Sequence, residues 1–292
     1  MTYDPFKIDG PTCISFSGGR TSAYMLWRVL QSNGGLPDEA VVCFSNTGKE
    51  EPATLAFVEE CSKRWHVPIT WIEYEWTAET STRWKVTDYF NCSKNGEPFE
   101  NLIKKNVNGT GKAFLPNPVK RICTVELKIL PLERYLRFGL NWDEWDNLIG
   151  IRADEPRRVS KIRASPSDGR KGFTRLLPLA DAGIGKGDVG LFWRQQPFDL
   201  QLPNMNGVTM HGNCDLCFLK PTAQIRSLIA EKPERAVWWA RMEAEVDSLG
   251  SWHIDGARFR KDRPSYAAML QQAADQVDFI GHEESIPCFC GD

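Results

Sequence analysis

The sequence lacks the features that would place it in a membrane. No uninterrupted apolar segment among its 292 residues reaches the roughly 20 residues that a helix needs to cross a bilayer. Its first residues lack the basic and then apolar layout of a signal peptide, so we expect a cytoplasmic protein with no membrane partner. A formal net charge of −2 gives no electrostatic reason to expect general nucleic-acid binding, although a local basic groove is compatible with it.

Histidine is also scarce, with four scattered residues, whereas the chain has nine cysteines. In a cytoplasmic chain of this size, metal, cluster or redox chemistry explains so many cysteines better than a disulfide framework does. Cys13, Cys43 and Cys61 fall in strand or helix patterns and are predicted core residues. Cys214 and Cys217 form a C-x-x-C pair, whose spacing lets two thiolates reach one metal centre. The pair alone is compatible with zinc, an iron–sulfur cluster or a redox disulfide.

Two adjacent glycines stand between an apolar run and a helical pattern near the start of the chain. Cys13–Phe16 is typical of a buried strand and Ala23–Leu30 of a buried helix, so the glycines fall at the strand-to-helix turn. The first N–H groups of a helix have no backbone partner, and glycine lets an anion approach them. The turn therefore predicts a nucleotide-phosphate cradle, with an ordinary glycine turn as the alternative. Its candidate residues are Ser17, Gly18, Gly19, Arg20, Thr21 and Ser22.

Strand and helix patterns alternate through the first part of the chain. Ala40–Phe44 and Ile69–Tyr74 are strand candidates, and Pro52–Trp65 is a helix candidate. This alternation predicts an α/β fold, a parallel sheet with helices on both faces that binds ligands beyond the carboxyl ends of its strands. We expect a nucleotide-binding domain over residues 1–200, with a long loop at 91–119, and a cysteine-bearing, mostly helical region over 201–292. Further predicted segments are strands at Leu148–Ile151 and Leu176–Leu179 and helices within Pro221–Leu249 and Pro264–Phe279.

A second polar turn follows the second predicted strand. Asn46, Thr47 and Gly48 are expected at the same edge of the sheet as the first turn, where they would meet an adenine or a ribose. The alternative is a plain turn that leads into the next helix, with Glu50 in its first turn.

The segment Ser17–Ser22 resembles the modified P-loop of the ATP pyrophosphatase superfamily (PP-loop, adenine nucleotide alpha hydrolase-like), and particularly its phosphoadenosine phosphosulfate (PAPS) reductase branch. Asn46–Thr54 is similar to the family's Asp-Thr-Gly segment, with Asn46 in place of the acid. The resemblance implies that both turns hold an adenylyl nucleotide, either ATP or PAPS, with Mg²⁺ as a candidate accompanying ion. Arg20 and Thr21 stand where many ATP-cleaving members have Lys-Asp, which leaves ATP cleavage open.

Gly150–Arg158 resembles the family's Gly-x-Arg-x-x-Glu segment with its following arginine. The resemblance implies that Arg152 and Arg157 hold phosphate or sulfate through paired hydrogen bonds. For Arg157 a solvated turn is the alternative.

The segment around Cys123 resembles the Cys-Cys segment of the cluster-containing adenylyl sulfate reductases, with Thr124 in place of the second cysteine. The resemblance implies that Cys123, Cys214 and Cys217 hold a 4Fe-4S cluster and that a tail cysteine, Cys288 or Cys290, replaces the missing ligand, with Cys288 preferred. The alternative is that Cys123 is a buried apolar residue and the tail thiols are free. Zinc is the alternative metal, because four thiolates also suit tetrahedral zinc. Near the end of the chain, Cys290 and Gly291 faintly resemble the family's nucleophilic tail, which implies Cys290 as the attacking thiolate.

The resemblance leaves three functions open. The first is a reductase, in which the Cys290 thiolate attacks the sulfur of a bound sulfonucleotide and a thioredoxin-like partner releases sulfite. The second is an ATP pyrophosphatase that adenylylates a nucleic acid or a small molecule and then inserts sulfur from a donor. The third is a non-catalytic module that senses a nucleotide or a cluster.

Overall fold

The computed structural model describes residues 3–76, 83–105, 113–168, 172–205, 209–212, 214–249 and 256–281. The chain divides into two compact units. Unit 1 comprises Met1–Leu102 with Ile122–Asp215, and unit 2 comprises Ile103–Arg121 with Leu216–Asp292. The sequence prediction set a single boundary after residue 200. In the structure, unit 2 instead combines two separate segments, Ile103–Arg121 and Leu216–Asp292.

Unit 1 is built on a seven-stranded sheet in the order β4-β3-β2-β1-β5-β7-β6. β1, β2, β3, β5 and β7 run parallel, while β4 and β6 pair antiparallel at the two edges. The predicted α/β fold is therefore confirmed. The topological switch point of the sheet lies at β1, which pairs with β2 on one side and with β5 on the other. The strands are β1 Thr12–Ser15, β2 Ala40–Asn46, β3 Ile69–Glu73, β4 Lys85–Thr87, β5 Trp145–Ile149, β6 Ser167–Asp168 and β7 Phe173–Leu176.

Helices pack on both faces of the sheet, because alternate strand residues point to opposite sides. Ile14 of β1 belongs to a core with α1, α2 and α8, whereas its neighbour Cys13 packs toward residues 122–139. The unit 1 helices are α1 Arg20–Asn33, α2 Pro52–Trp65, α4 Ile122–Thr124, α5 Leu130–Arg134, α6 Pro156–Arg163, α7 Pro178–Asp181 and α8 Lys186–Gln195. α3 is Glu97–Lys105.

The segment 122–139 continues through two π-helical turns, Val125–Ile129 and Tyr135–Gly139. Each turn closes with a bond to the fifth preceding carbonyl, from Leu130 N to Val125 O and from Leu140 N to Tyr135 O. π-helical turns are rare and occur frequently at functional sites.

Two sequence predictions are corrected. The loop expected over 91–119 contains helix α3, because Phe99, Leu102 and Ile103 recur at helical spacing and are at most 1 % exposed. The strand expected at Leu176–Leu179 ends at Leu176, since proline suits the first turn of a helix and Pro178 begins α7.

The described C-terminal part of unit 2 is helical, as predicted, with α9 Thr222–Glu231, α10 Glu234–Ser248 and α11 Tyr266–Gly281. Lys232 and Pro233 separate the first two helices, because proline cannot continue a helix. Trp239, Phe259 and Tyr266 form an aromatic core with ring centroids 5.0–5.8 Å apart. Among the described residues, no helix has the length and apolarity to cross a membrane.

Candidate functional site

The glycine loop joins β1 to α1 and is held in one conformation. Gly18 has a φ of +76°, and a Cβ atom there would lie 2.6 Å from Cγ2 of Thr54, so any other residue at this position would be strained. The hydroxyl of Ser22 accepts a hydrogen bond from Ser17 N at 3.1 Å, contacts Ser17 Oγ at 3.0 Å and donates to Gly19 O at 2.9 Å. The predicted strand-to-helix turn is therefore confirmed, and the start of α1 lies beside an exposed Ser17.

The first of two cavities beside this loop lies between the sheet and the segment 122–139. It measures about 250 Å³ and combines apolar walls with hydroxyl, amide and charged groups. Its apolar lining includes Leu132, Leu136 and Ile149, and its polar lining includes Ser15, Ser17, Ser45, Asn147, Lys128, Glu133 and Arg175.

The second cavity measures about 380 Å³ and lies at the beginning of α1 and along α8. Its lining carries four cations and one acid: Arg20, Arg152, Lys186, Arg194 and Asp199. Arg20 is bound to Asp199 through two hydrogen bonds of 2.5 and 2.6 Å, so part of the positive charge is neutralised. Arg152 is likewise paired, with Asp154 and Glu155. Lys186, Arg194 and the start of α1 make this a basic pocket suited to an anion.

Arg152 reaches this basic pocket because β5 ends close to α1. A Cβ atom on Gly150 would lie 3.2 Å from the Cα of Ser22, so glycine permits the approach. Nη1 of Arg152 donates to Thr21 Oγ1 at 3.2 Å, and Nε donates to Asp154 at 2.8 Å. The structure thus brings Arg152 and Thr21, both predicted site residues, together. Arg157 is exposed on α6 and lines neither cavity.

The second turn is buried and engaged in internal hydrogen bonds. Asn46 is 0 % exposed and donates to Oε1 of Glu73 at 2.6 Å and to Ser93 O at 2.8 Å, while its Oδ1 accepts from Gly48 N at 3.1 Å. Thr47 donates through its hydroxyl and its N–H to the carboxyl group of Glu50 at 2.8–2.9 Å. Asn46, Thr47 and Gly48 line neither cavity of unit 1 described above.

Glu50 connects this second turn to Lys128, which lines the first cavity. Lys128 Nζ lies 3.5 Å from Oε1 of Glu50. Burial lowers the pKa of Lys128, but its interactions with Glu50, Cys214 and Cys123 outweigh that effect and raise the pKa overall. Lys128 therefore keeps its positive charge at neutral pH. No sequence pattern marked Lys128 as a site residue.

Two of the four predicted metal ligands lie near the same ammonium group. Interactions with Cys123 and Cys214 both raise the pKa of Lys128, and the Cys214 sulfur lies 3.6 Å from Thr47 Oγ1. Cys217 belongs to unit 2, and Cys288, like the predicted nucleophile Cys290, falls outside the described residues. Within the described ranges, no three His, Cys, Asp or Glu side chains are grouped so that they could hold a metal ion. The complete four-thiolate set remains a prediction.

The cysteines predicted to be core residues are buried. Cys13, Cys43 and Cys61 are at most 2 % exposed. Burial, followed by the interaction with Cys13, raises the pKa of the Cys43 thiol well above its ordinary value. Although Cys43 lines the first cavity, it stays protonated at neutral pH and is a poor nucleophile there.

Comparison with known proteins identifies one curated relative. The nin region protein ORF290 of Escherichia phage lambda is 36% identical over 221 residues, which cover 73% of this chain and 67% of that protein. The chain belongs to the ORF290 family. Lambda ORF290 is itself described as uncharacterized, so membership of the ORF290 family assigns no activity.

No protein-family model matches this ORF290-family chain. Among solved structures, the U34-tRNA thiolase NcsA from Methanococcus maripaludis with its [4Fe-4S] cluster is similar with a TM-score of 0.42 and 13% sequence identity. The match covers 98% of this chain and 78% of that chain. A likeness this weak supports no conclusion about activity.

Proposed function

We propose that this ORF290-family chain is an adenylyl-nucleotide-binding enzyme of sulfur metabolism, related to the ATP pyrophosphatase superfamily and its PAPS reductase branch. One observation carries the proposal: the glycine loop lies between two cavities of opposite character. Ser17 lines the partly apolar cavity, and Arg20 and Thr21 line the basic one. An adenylyl nucleotide has the matching division into an adenosine moiety and anionic groups.

The adenosine moiety would occupy the first cavity. Its apolar walls offer contact to a base, and Ser45, Asn147 and Lys128 offer polar partners. The first phosphate would then lie at the loop, near Ser17 and the first N–H groups of α1. The backbone of the loop glycines and the dipole of the helix favour an anion there. A further anionic group, a sulfate or a phosphate, would enter the basic pocket beside Arg152 and Lys186.

Sulfonucleotide reduction is the first candidate reaction. The Cys290 thiolate would attack the sulfur of PAPS, so that a sulfur–sulfur bond forms, the sulfur–oxygen bond breaks and adenosine 3′,5′-bisphosphate leaves. A thioredoxin-like dithiol would then displace sulfite and become a disulfide. The basic pocket supports this candidate, because it offers cations to the anionic end of the nucleotide.

Adenylylation by ATP is the second candidate. Here an oxygen of a nucleic acid or a small molecule would attack the α-phosphate, pyrophosphate would leave, and a sulfur donor would displace the adenylate. The basic pocket supports this candidate equally, since its cations also suit a pyrophosphate leaving group.

Binding calorimetry with ATP and with PAPS tests the shared proposal. We expect micromolar binding of at least one nucleotide and about tenfold weaker binding, or ~1.4 kcal/mol, in Lys128→Gln. The matched control is Lys63→Gln, whose lysine is 61% exposed on α2, pairs with Glu59 in the preceding turn and lies over the Phe90 ring. Absence of nucleotide binding, or equal losses in both variants, would contradict the proposal.

Product analysis separates the two reactions. Sulfite release from PAPS with thioredoxin supports the reductase, whereas acceptor-dependent pyrophosphate release from ATP supports the adenylylating enzyme. Anaerobic purification with iron, sulfide and zinc analysis tests the predicted cofactor independently of activity. We expect about four iron atoms per chain and their loss in Cys214→Ser; one zinc in their place would identify the alternative metal.

A further inference from the structure

Unit 2 contains a groove of about 650 Å³ that the proposed function does not use. Its two walls come from separate parts of the chain, residues 113–120 and residues 257–262, and Val246 of α10 completes the lining. The lining combines apolar side chains with four cations and one acid: Lys120, Arg258, Arg260, Lys261 and Asp262. Such a mixture of apolar surface and positive charge suits a ligand that is both anionic and flat.

Hydrogen bonds to acidic side chains of α10 hold the 257–262 wall in place. Ala257 and Phe259 are at most 6 % exposed, while Arg258 and Arg260, which alternate with them, are partly exposed. The N–H of Phe259 donates to Glu243 Oε1 at 3.2 Å, and that of Ala257 donates to Asp247 Oδ1 at 3.2 Å. These bonds fix an alternating backbone that presents cations on the side away from the core. Arg260 is partly neutralised, since its Nε donates to Asp262 at 2.8 Å.

The opposite wall carries one cation, Lys120, among apolar side chains and Asn117. Asn117 Oδ1 accepts hydrogen bonds from the N–H groups of Val119 and Lys120 at 3.0 and 2.9 Å, which shapes a tight turn. That turn sets the Lys120 ammonium 5.6 Å from the ring centroid of Phe114. An aromatic ring and a cation therefore stand together on this wall.

We propose that this groove binds a single-stranded polynucleotide, with phosphates on Lys120, Arg258 and Lys261 and a base on the Phe114 ring. The apolar lining favours binding of a single strand over binding of a duplex, because a duplex presents its phosphates and sugars outward and keeps its bases stacked inside. A single strand offers a flat base to an aromatic ring and a phosphate to a neighbouring cation at the same time. The inference concerns unit 2 alone and does not depend on the nucleotide chemistry proposed for unit 1.

Fluorescence anisotropy with a labelled twelve-residue oligothymidylate tests the groove. We expect the unchanged protein to bind at 50 mM salt, with affinity falling steeply as salt rises. Arg258→Gln combined with Lys261→Gln should weaken binding at least tenfold. It should also reduce the slope of log affinity against log salt by about 1.4, at about 0.7 for each lost phosphate contact.

Two further variants separate charge from stacking. Arg226→Gln with Lys232→Gln removes the same charge from exposed positions of unit 2 that do not line the groove, and should change affinity less than twofold. Phe114→Leu should weaken binding at least fivefold and leave the salt slope unchanged, because it removes a stacking surface and no charge. Circular dichroism melts of each variant exclude unfolding as the cause.

Four results would overturn the inference: no binding of the oligothymidylate, equal binding of a duplex of the same length, equal competition by polyglutamate, or equal losses in the groove and control variants. Polyglutamate competition would identify a surface for acidic peptides instead. Calorimetry with ATP and PAPS on the same variants keeps the two proposals apart. Groove variants should retain nucleotide binding, and Lys128→Gln should retain oligothymidylate binding.

Discussion

The two polar turns at the carboxyl edge of the sheet look alike in sequence and differ in the structure. Both follow a parallel strand, both contain glycine, and both precede a helix. Residues of the first turn line two cavities, whereas Asn46 and Thr47 in the second are at most 2 % exposed and bonded to Glu73 and Glu50. Position at a strand end therefore brings a turn to the ligand edge, but neighbouring side chains decide whether it faces a ligand.

The buried turn contributes to the site indirectly. Its Thr47 holds the carboxyl group of Glu50, and Glu50 in turn lies beside Lys128 in the first cavity. Lys49 of the same turn pairs with the largely buried Asp215 at 2.9 Å, one residue after Cys214. The second turn thus positions a cavity cation and a predicted metal ligand. The comparison predicts that the polar side chains of the first turn act in binding and that those of the second act in folding.

The largest effect on stability is expected at Gly18, whose backbone conformation holds the first turn in place. Gly18→Ala would combine a left-handed backbone with an atom 2.6 Å from Thr54. We expect the free energy of unfolding to fall by about 2–5 kcal/mol in urea denaturation. Gly19→Ala is the matched control, because its φ is −108° and the nearest atom to an added Cβ lies 4.0 Å away. Similar stability of the two variants would show that the loop is not held as described.

The next effect tests the second turn. Asn46→Asp restores the acid that the similar family segment has at this position. It also places a second carboxyl group against Glu73, because Asn46 and Glu73 form a buried pair only 2.6 Å apart. We expect the free energy of unfolding at pH 7 to fall by about 2–4 kcal/mol, since two buried carboxylates this close cannot both ionise.

The rescue variant decides between a structural and a ligand-binding role for Asn46. Adding Glu73→Gln to Asn46→Asp supplies a donor again and should recover at least half of the lost stability. Nucleotide affinity measured by calorimetry should then be unchanged. A stable double variant that no longer binds nucleotide would instead place Asn46 in the binding site.

The fold was largely predictable from the sequence because its signals are local. The apolar strand ends, the 3.6-residue periodicity of α2 and the glycine turn each specify their element without reference to distant residues. Helix α3 was missed because Asn, Lys and Gly around it are typical of loops and only three core positions mark it as helical. The short antiparallel edge strands β4 and β6 have three and two residues, too few for a periodic signal.

The site was less predictable, because its partners are far apart in sequence. The pairs Arg20–Asp199 and Lys128–Glu50 join positions that are 179 and 78 residues apart. No spacing rule relates such positions, so the sequence could mark Arg20 as a candidate without showing that an acid partly neutralises it. In the same way, the sequence left Arg157 open between a ligand and a solvated turn, and the structure shows that Arg152 reaches the loop whereas Arg157 does not.

The comparison of Arg152 with Arg157 gives the smallest expected effect, a change in nucleotide affinity. Arg152 donates to Thr21 at 3.2 Å and lines the basic pocket, whereas Arg157 is exposed on α6. We expect Arg152→Gln to weaken nucleotide binding about tenfold, or ~1.4 kcal/mol, through loss of a charged hydrogen-bond donor. Arg157→Gln removes the same charge from solvent and should change affinity less than twofold in the same calorimetric titration. Equal losses would mean that long-range charge attracts the nucleotide, and the contact between Arg152 and the loop would then have no special role in binding.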